Sequence, residues 1–130
     1  IPKDFYLKIK KILKNKFSKK KASILFIGAS FKENSNDIRN SKVLELAELL
    51  HKNFRLSLYD SDVDYELLKK TTKCKVIKKI LKSNLYHAIV IANKHDYVKK
   101  IGLKKIQNLL HKNGVIFDLK NLFNLYKNIL

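Results

Sequence analysis

The amino-acid sequence predicts an α/β fold, in which a mostly parallel β-sheet is covered by helices on both faces and preceded by an N-terminal helix. Two observations carry this prediction. Short runs such as Ser23–Gly28, Ala88–Ala92 and Val115–Phe117 are continuously apolar, as strands buried on both faces are. Segments with apolar residues at helical spacing separate these runs, so the elements alternate as β-α-β units, whose strands are parallel.

The first element is an amphipathic helix over Ile1–Phe17, where apolar residues recur at three- and four-residue steps and lysines fill the other faces. We expect this helix to pack on the domain or on a neighbouring one. A basic helix lying on a membrane surface is the alternative. Ser18–Lys21 forms a polar, basic connector, and the first strand, Ser23–Gly28, follows it.

The second helix begins at Val43, with Asn40 or Ser41 available to cap its first turn, and ends near Asn53. A very short turn then leads into the second strand, Arg55–Tyr59, where apolar and polar residues alternate.

A third helix is expected between Tyr65 and Asn84, with its clearest apolar spacing over residues 76–81. The stretch Thr71–Lys75 is ambiguous and leaves room for a short strand. After the strand Ala88–Ala92, the spacing of Leu103, Ile106 and Leu110 predicts a helix whose end is marked by Asn113-Gly114. The last strand is Val115–Phe117. Together these elements predict a Rossmann-like three-layer sandwich.

The composition is that of one globular domain. The chain has 130 residues, of which 45% are hydrophobic and 31% charged, which excludes disordered, collagen-like and disulfide-rich classes. No apolar run approaches the roughly 18 residues of a membrane span. The single cysteine cannot form an internal disulfide, and no metal-ligand spacing is present, so we expect a cytoplasmic protein without a metal site. Because methionine is absent, we expect the chain to be a fragment of a longer protein.

The formal net charge of +18 raises the question of a polyanionic partner. Of the 29 cationic side chains only Arg39 and Arg55 are arginines, whereas groove-reading and phosphate-clamping proteins favour arginine's planar fork. We therefore favour a solvated lysine surface, with no membrane and no nucleic acid as partners. A basic module that binds nucleic acid or an acidic surface remains the alternative, and the salt dependence of polyanion binding separates the two.

Ligands of open parallel sheets bind outside the carboxyl ends of the strands. The polar residues that follow the predicted strands are Ser30–Arg39, Asp60, Asn93–Asp96 and Asp118–Asn121. Among them, four cationic or titratable side chains should converge on one edge and favour an anionic ligand: Lys32, Arg39, His95 and Lys120. A phosphoacceptor domain centred on Asp60 would need an acidic pair after the first strand, which the sequence lacks.

One stretch of the chain carries a family resemblance. Residues 27–41 read I-G-A-S-F-K-E-N-S-N-D-I-R-N-S, which resembles the G-x-x-F-K-x-x-(S/T)-x-D-x-R-x-S signature of the UDP-glucose/GDP-mannose dehydrogenase family, at the start of its C-terminal UDP-binding domain. The segments V-L-E-L-A-E-L-L, Y-D, H-D-Y and V-I-F-D agree in order and spacing, and the resemblance covers about residues 23–123. The residues K-E-N-x-x-D-I-R-N-S resemble the corresponding segment of members that act on UDP-N-acetylhexosamines or their uronic acids.

This resemblance implies a UDP-sugar-binding domain over residues 22–130, entered by a helix and connector over residues 1–21. It implies that Phe31, Lys32 and Lys120 contact the UDP-sugar and that Arg39 reaches the pyrophosphate of NAD. Lys120 stands where the family has an arginine, so its charge is kept and the bidentate fork is lost. Other departures from the family pattern are Asn36, Ser61 and Lys94.

Two further residues of the signature have local structural interpretations. Asp37 is expected to orient its own loop, and Ser41 to cap the following helix. His95 has two interpretations, a catalytic base or a hydrogen-bonding residue at a strand end, of which we favour the second.

The resemblance also implies the activity of the whole enzyme, an NAD-dependent oxidation of a UDP-hexose to a UDP-hexuronate in polysaccharide biosynthesis. The family's catalytic cysteine lies in a central domain, and its G-x-G-x-x-G turn lies in an N-terminal domain that binds most of the NAD. We expect no catalytic residue in this chain, with Cys74 a buried thiol. The 130 residues should therefore be inactive without those domains, in an enzyme that we expect to be a homo-oligomer.

Overall fold

A computed structural model describes residues 2–18, 21–81 and 85–125 of the chain. Within these residues the sheet has five strands, all parallel, in the order β3-β2-β1-β4-β5. The elements along the chain are α1 (Pro2–Lys16), β1 (Ser23–Ile27), α2 (Lys42–His51), β2 (Arg55–Tyr59), α3 (Tyr65–Thr71), β3 (Lys75–Val76), β4 (Tyr86–Ile91), α4 (Asp96–Ile101), α5 (Leu103–Gln107) and β5 (Leu110–Asp118).

The predicted three-layer α/β sandwich is confirmed by the two apolar layers on either side of the sheet. Alternate residues of a strand point to opposite faces. Ile24 and Phe26 of β1 therefore pack with α1, α2 and α3, while Leu25 and Ile27 pack with α4 and α5. All four side chains are fully buried, which explains why this strand shows no polar alternation in the sequence.

The N-terminal helix packs on one face of the α/β sandwich. Ile9 and Leu13 of α1 are buried against α2, and they belong to the same apolar layer as Phe26. The interpretation of a helix packed on its own domain is thus confirmed for Pro2–Lys16. The predicted helical residue Ile1 and the connector residues 19 and 20 lie outside the described part of the chain.

The long helix predicted between Tyr65 and Asn84 is wrong beyond Thr71. The backbone at Lys75–Val76 instead pairs in parallel with Ser57 and Leu58 of β2, so a sheet edge supplies the hydrogen bonds that a helix would have made. The apolar spacing that predicted the helix has another origin, since Ile77 and Ile80 pack into the α4–α5 layer. Residues 82–84 lie outside the described ranges.

The helix predicted to run past Leu110 to Asn113-Gly114 is also wrong. α5 ends at Gln107, and Leu110 already begins β5 by pairing with Tyr86. The register shifts between Tyr86 and Ala88, so residues 111–114 form an irregular strand start. A Cβ at Gly114 would lie 2.8 Å from the Leu110 side chain, which explains a glycine there without a helix end. The predicted strand Val115–Phe117 lies within β5.

The sheet topology determines where a ligand can bind. β1 lies between β2 and β4, and the chain leaves β1 toward α2 on one face and leaves β4 toward α4 on the other. Connections that diverge from neighbouring parallel strands open a crevice at the carboxyl edge of the sheet. The loop after β1, residues 28–41, and the residues after β4, 92–95, form the rims of this crevice.

Leu13→Ala should test whether α1 stabilises the domain. Leu13 is fully buried, so its truncation should lower the free energy of unfolding by about 2–5 kcal/mol. Ile12 is the matched control, because it lies on the same helix with 43% of its surface exposed, and Ile12→Ala should change stability by no more than about 0.5 kcal/mol. Urea denaturation followed by circular dichroism measures both. Equal effects would contradict the packing of α1.

Candidate functional site

The loop after β1, which we call the β1 loop (residues 28–41), starts with a turn that requires glycine. Gly28 has φ +112°, a conformation that L side chains rarely adopt. A Cβ at this position would lie 3.4 Å from the Ala92 Cβ and 3.5 Å from the His95 ring. The chain therefore leaves β1 in close contact with the end of β4.

A buried carboxylate anchors this turn. Asp60, which follows β2, accepts hydrogen bonds from the Ala29 and Asp62 backbone N–H groups, both at 2.8 Å. Burial raises the pKa of Asp60, and the two backbone donors and the nearby His95 act in the opposite direction. Because backbone donors occupy both carboxylate oxygens, the role of Asp60 is to fix the geometry of the β1 loop.

The far end of the β1 loop is tied back to its beginning. The Ser41 hydroxyl donates to the Ala29 carbonyl at 2.6 Å and accepts from the Leu44 N–H at 3.1 Å. Ser41 thus caps α2, as the sequence predicted, and closes the loop at the same time.

The middle of the β1 loop is bound to the residues after β4. The Asn93 side-chain amide donates to the Phe31 carbonyl. The Asn34 N–H donates to His95 Nδ1 at 2.9 Å, and Asn34 Oδ1 accepts from the Asp96 N–H at 2.7 Å. Three side-chain hydrogen bonds therefore connect the two rims of the crevice.

The predicted UDP-sugar residues lie at the carboxyl edge of the sheet. The structure brings Phe31 and Lys120 together, with the Lys120 Nζ 6.0 Å from the centre of the Phe31 ring, a cation-π distance. Both line a cavity of about 660 Å³ between α1, α2 and the β1 loop. Phe31 keeps 54% of its surface exposed. Lys32, the next residue, is exposed too, but it does not line this cavity.

Lys120 owes its position to Asp118. This buried carboxylate accepts from the Leu122 and Phe123 N–H groups at 2.9 and 2.8 Å, and so closes the turn that carries Lys120. The motif D-L-K-N therefore combines a turn-forming aspartate with an exposed cation.

Arg39 is exposed and lies outside the cavity that Phe31 and Lys120 line. Its guanidinium forms a bidentate ion pair with Asp37 at 2.9 and 3.0 Å. The hydrogen bond from Arg39 is the main cause that lowers the pKa of Asp37 to about 2. Asp37 also accepts from the Arg39 N–H, which agrees with the predicted orienting role.

His95 does not share the exposed edge with the lysines, so the predicted convergence of four side chains is wrong for this residue. Its ring is fully buried beneath the β1 loop and stacks on Tyr97, with centroids 5.3 Å apart. The ring lies against the Gly28 turn, where a Cβ would be in ordinary van der Waals contact with it. The interpretation as a hydrogen-bonding residue at a strand end agrees with its bond to Asn34.

Asn34 and Asn93 lie in the polar stretches that the sequence placed at the ligand edge, but no role for either residue was predicted from the sequence. Asn34 has φ +57°, in the left-handed region that asparagine tolerates better than most residues. An asparagine between charged and polar neighbours could have indicated such a turn, but its partner 61 residues away could not be read from the pattern.

The described residues offer little sign of a reactive thiol, a metal site or a membrane span. Cys74 is buried, and burial raises the pKa of its thiol, which lowers its nucleophilicity. Among residues 2–18, 21–81 and 85–125 we find no group of three or more metal-ligating side chains. In the same ranges no helix is long and apolar enough to cross a membrane.

Comparison with known proteins adds independent findings. Residues 25–125 match the model of the UDP-glucose/GDP-mannose dehydrogenase family, UDP binding domain. UDP-N-acetyl-D-glucosamine 6-dehydrogenase of Salmonella typhi is 30% identical over 113 residues, which are 86% of this chain and 26% of that protein. GDP-mannose 6-dehydrogenase of Azotobacter vinelandii is 49% identical over 43 residues, 32% of this chain and 10% of that protein.

A solved structure shares the fold. The UDP-N-acetyl-mannosamine dehydrogenase of S. aureus superimposes with a TM-score of 0.63 at 16% identity, over 95% of this chain and 31% of that one. The chain thus spans between about a quarter and a third of the Salmonella typhi and S. aureus proteins.

Arg39→Gln should return the pKa of Asp37 from about 2 toward 3.8, as followed by NMR of the carboxyl carbon. Because the folded-state pKa is lowered, the ion pair adds stability above pH 3.8 that is lost as the pH falls through 2. Arg39→Lys keeps the charge and should restore part of the shift. Neither change should alter the melting temperature at neutral pH, since exposed pairs contribute little. A melting point many degrees lower would make Arg39 a structural residue instead.

Proposed function

The chain belongs to the UDP-glucose/GDP-mannose dehydrogenase family, and from that premise we propose that it is the UDP-sugar-binding domain of an NAD-dependent nucleotide-sugar 6-dehydrogenase. The reaction is the oxidation of a UDP-hexose to a UDP-hexuronate. The observation that carries the proposal is the cavity of about 660 Å³ that Phe31 and Lys120 line at the carboxyl edge of the sheet. An aromatic face and a cation at one cavity suit a ligand with both a nucleobase and phosphates.

Three residues of this chain bind the UDP-sugar. Lys32 is exposed next to Phe31 and offers a charge-assisted hydrogen bond to phosphate or sugar oxygens. Lys120 supplies a second cation from the turn that Asp118 closes. Phe31 supplies an exposed ring face, and its carbonyl is held by Asn93. The domain comprises residues 22–130, and residues 1–21 form the helix and connector that enter it.

Arg39 is the residue of this chain that contacts the cofactor. Its side chain is 86% exposed, and Asp37 orients the planar guanidinium through Nε and one Nη group. The edge formed by the two Nη groups fits the bidentate binding of a pyrophosphate. NAD supplies the hydride-accepting chemistry when it is bound, mainly through an N-terminal domain. This chain binds and orients the UDP-sugar, and its buried thiol takes no part.

The remaining features of the proposal concern the whole enzyme. Turnover requires the NAD-binding domain and the central domain that carries the catalytic cysteine, so the 130 residues alone are inactive. We place the enzyme in the cytoplasm as a homo-oligomer, with a role in polysaccharide biosynthesis.

Titration with UDP should test the binding site. Weak binding is expected, because the chain supplies one wall of the pocket, and the amide signals of residues 28–39 and of Lys120 should shift first. Lys32→Ala should weaken binding about tenfold, since a charge-assisted hydrogen bond is lost. Lys69→Ala is the matched control, because Lys69 is an exposed lysine on α3, outside both the β1 loop and the lining of the cavity, and it should leave the affinity unchanged.

The competing function, a basic module for nucleic acid or an acidic surface, rests on the net charge of +18. It makes opposite predictions in the same experiment. Lys69→Ala would then weaken binding as much as Lys32→Ala, shifts would concentrate on residues 3–21, and an oligonucleotide would bind with submicromolar affinity and a steep salt dependence. That outcome would overturn the UDP-sugar site.

A further inference from the structure

The β1 loop has to hold two ligand-contacting residues without regular secondary structure. Phe31 and Lys32 are both exposed and lie between the anchored start of the loop at Ala29 and its closure at Ser41. A flexible loop would lose binding free energy each time it became ordered around a ligand. Something in the structure must therefore restrain the segment around Phe31 and Lys32.

The restraint is a set of hydrogen bonds within the β1 loop and between this loop and residues 93–96. Within the loop, the Ser30 hydroxyl donates to the Lys32 carbonyl at 3.0 Å. Asn93 holds the Phe31 carbonyl, and the Asn34–His95 contact holds the loop two residues after Lys32. Asn34 is both a donor and an acceptor: its backbone N–H donates to His95 Nδ1 at 2.9 Å, and its Oδ1 accepts from the Asp96 N–H at 2.7 Å. These bonds lie on either side of Lys32.

His95 is itself immobile. The ring is fully buried, stacks on Tyr97 with an interplanar angle of 13°, and faces the Gly28 turn. To accept from Asn34, Nδ1 must be unprotonated, so the ring proton of a neutral imidazole is on Nε2. In the described ranges Nε2 is buried and has no hydrogen-bond partner.

The contrast between a bonded Nδ1 and an unpaired Nε2 indicates why this position carries a histidine. An apolar ring would fill the same space and stack on Tyr97 without burying an unpaired N–H, which is costly. The one interaction that only an imidazole supplies at this point is the acceptor Nδ1 for the Asn34 N–H. The histidine therefore serves the β1 loop more than the core.

We propose that His95 and Asn34 are positioning residues, which hold the β1 loop so that Phe31 and Lys32 are preordered for the nucleotide-sugar. The inference rests on the proposed UDP-sugar function and adds a role for two residues that touch no ligand themselves. His95 acts through Asn34, and Asn34 acts through the backbone that leads to Lys32.

Two substitutions at His95 separate positioning from packing. His95→Phe keeps the ring and removes the acceptor, so the melting temperature should hold or rise while UDP affinity falls about tenfold. His95→Asn keeps an acceptor oxygen at the position of Nδ1 and loses ring packing, so the melting temperature should fall while affinity stays within about twofold of the wild type. If His95 served only the packing of the core, the variant with the lower melting temperature would also be the variant with the lower UDP affinity.

The hydrogen bond between Asn34 and His95 can also be observed directly by NMR. Through-bond nitrogen–nitrogen coupling between the Asn34 amide and His95 Nδ1 should be seen in the wild-type chain and be lost in His95→Phe. In that variant the amides of residues 31–34 should also exchange faster with solvent, with or without UDP.

Asn34 provides variants with little risk to folding, since it is exposed. Asn34→Gly keeps the positive φ and removes Oδ1, so UDP affinity should fall severalfold, whereas Asn34→Asp keeps the acceptor and should bind more tightly than Asn34→Gly. Asn124→Gly is the matched control, because Asn124 is exposed with φ +54° and should leave the affinity unchanged.

The outcomes distinguish this inference from the proposed function. If the wild-type chain binds no UDP, the proposed function fails, and the role of the pair in ligand binding fails with it. If the wild-type chain binds UDP, and both His95→Phe and Asn34→Gly bind equally well with unchanged exchange over residues 31–34, the positioning role alone is overturned.

Discussion

The turn at Gly28 is the constraint on which the rest of the site depends. β1 and β4 are neighbours in a parallel sheet, so their carboxyl ends lie side by side, and the chain leaving β1 must pass over the end of β4. With φ +112°, a conformation that L side chains rarely adopt, Gly28 allows the chain to turn here beside the His95 ring. Asp60 then holds Ala29, and the β1 loop begins in a defined direction.

The site is built in two layers with different physical roles. The inner layer consists of buried polar side chains that accept hydrogen bonds from the backbone of the β1 loop or of the turn after β5, as in Asp60, His95 and Asp118. The outer layer consists of exposed side chains, as in Phe31 and Lys32. The inner layer thus fixes the backbone, and the outer layer presents aromatic and cationic surface to solvent.

Local pattern was sufficient for the strands at the centre of the sheet and insufficient at its edges. β1 and β4 are buried on both faces, so their continuous apolar runs have few alternative explanations. β3 has two residues and owes its conformation to pairing with β2, while the apolar spacing after it reflects packing in the α4–α5 layer. Likewise the Asn113-Gly114 pair lies in the irregular start of β5, whose form depends on its register with Tyr86.

The sequence by itself determined the alternation of helices and strands, the parallel sheet, the loop that carries Phe31, Lys32 and Arg39, and the family resemblance, because these follow from periodicity and from residues close together in the chain. Only the tertiary structure decided that Phe31 meets Lys120 and that His95 lies beneath the loop bound to Asn34. The physical reason is that contacts across the sheet edge join residues 61 to 89 positions apart in the chain, and the parallel pairing of β1, β4 and β5 brings them together.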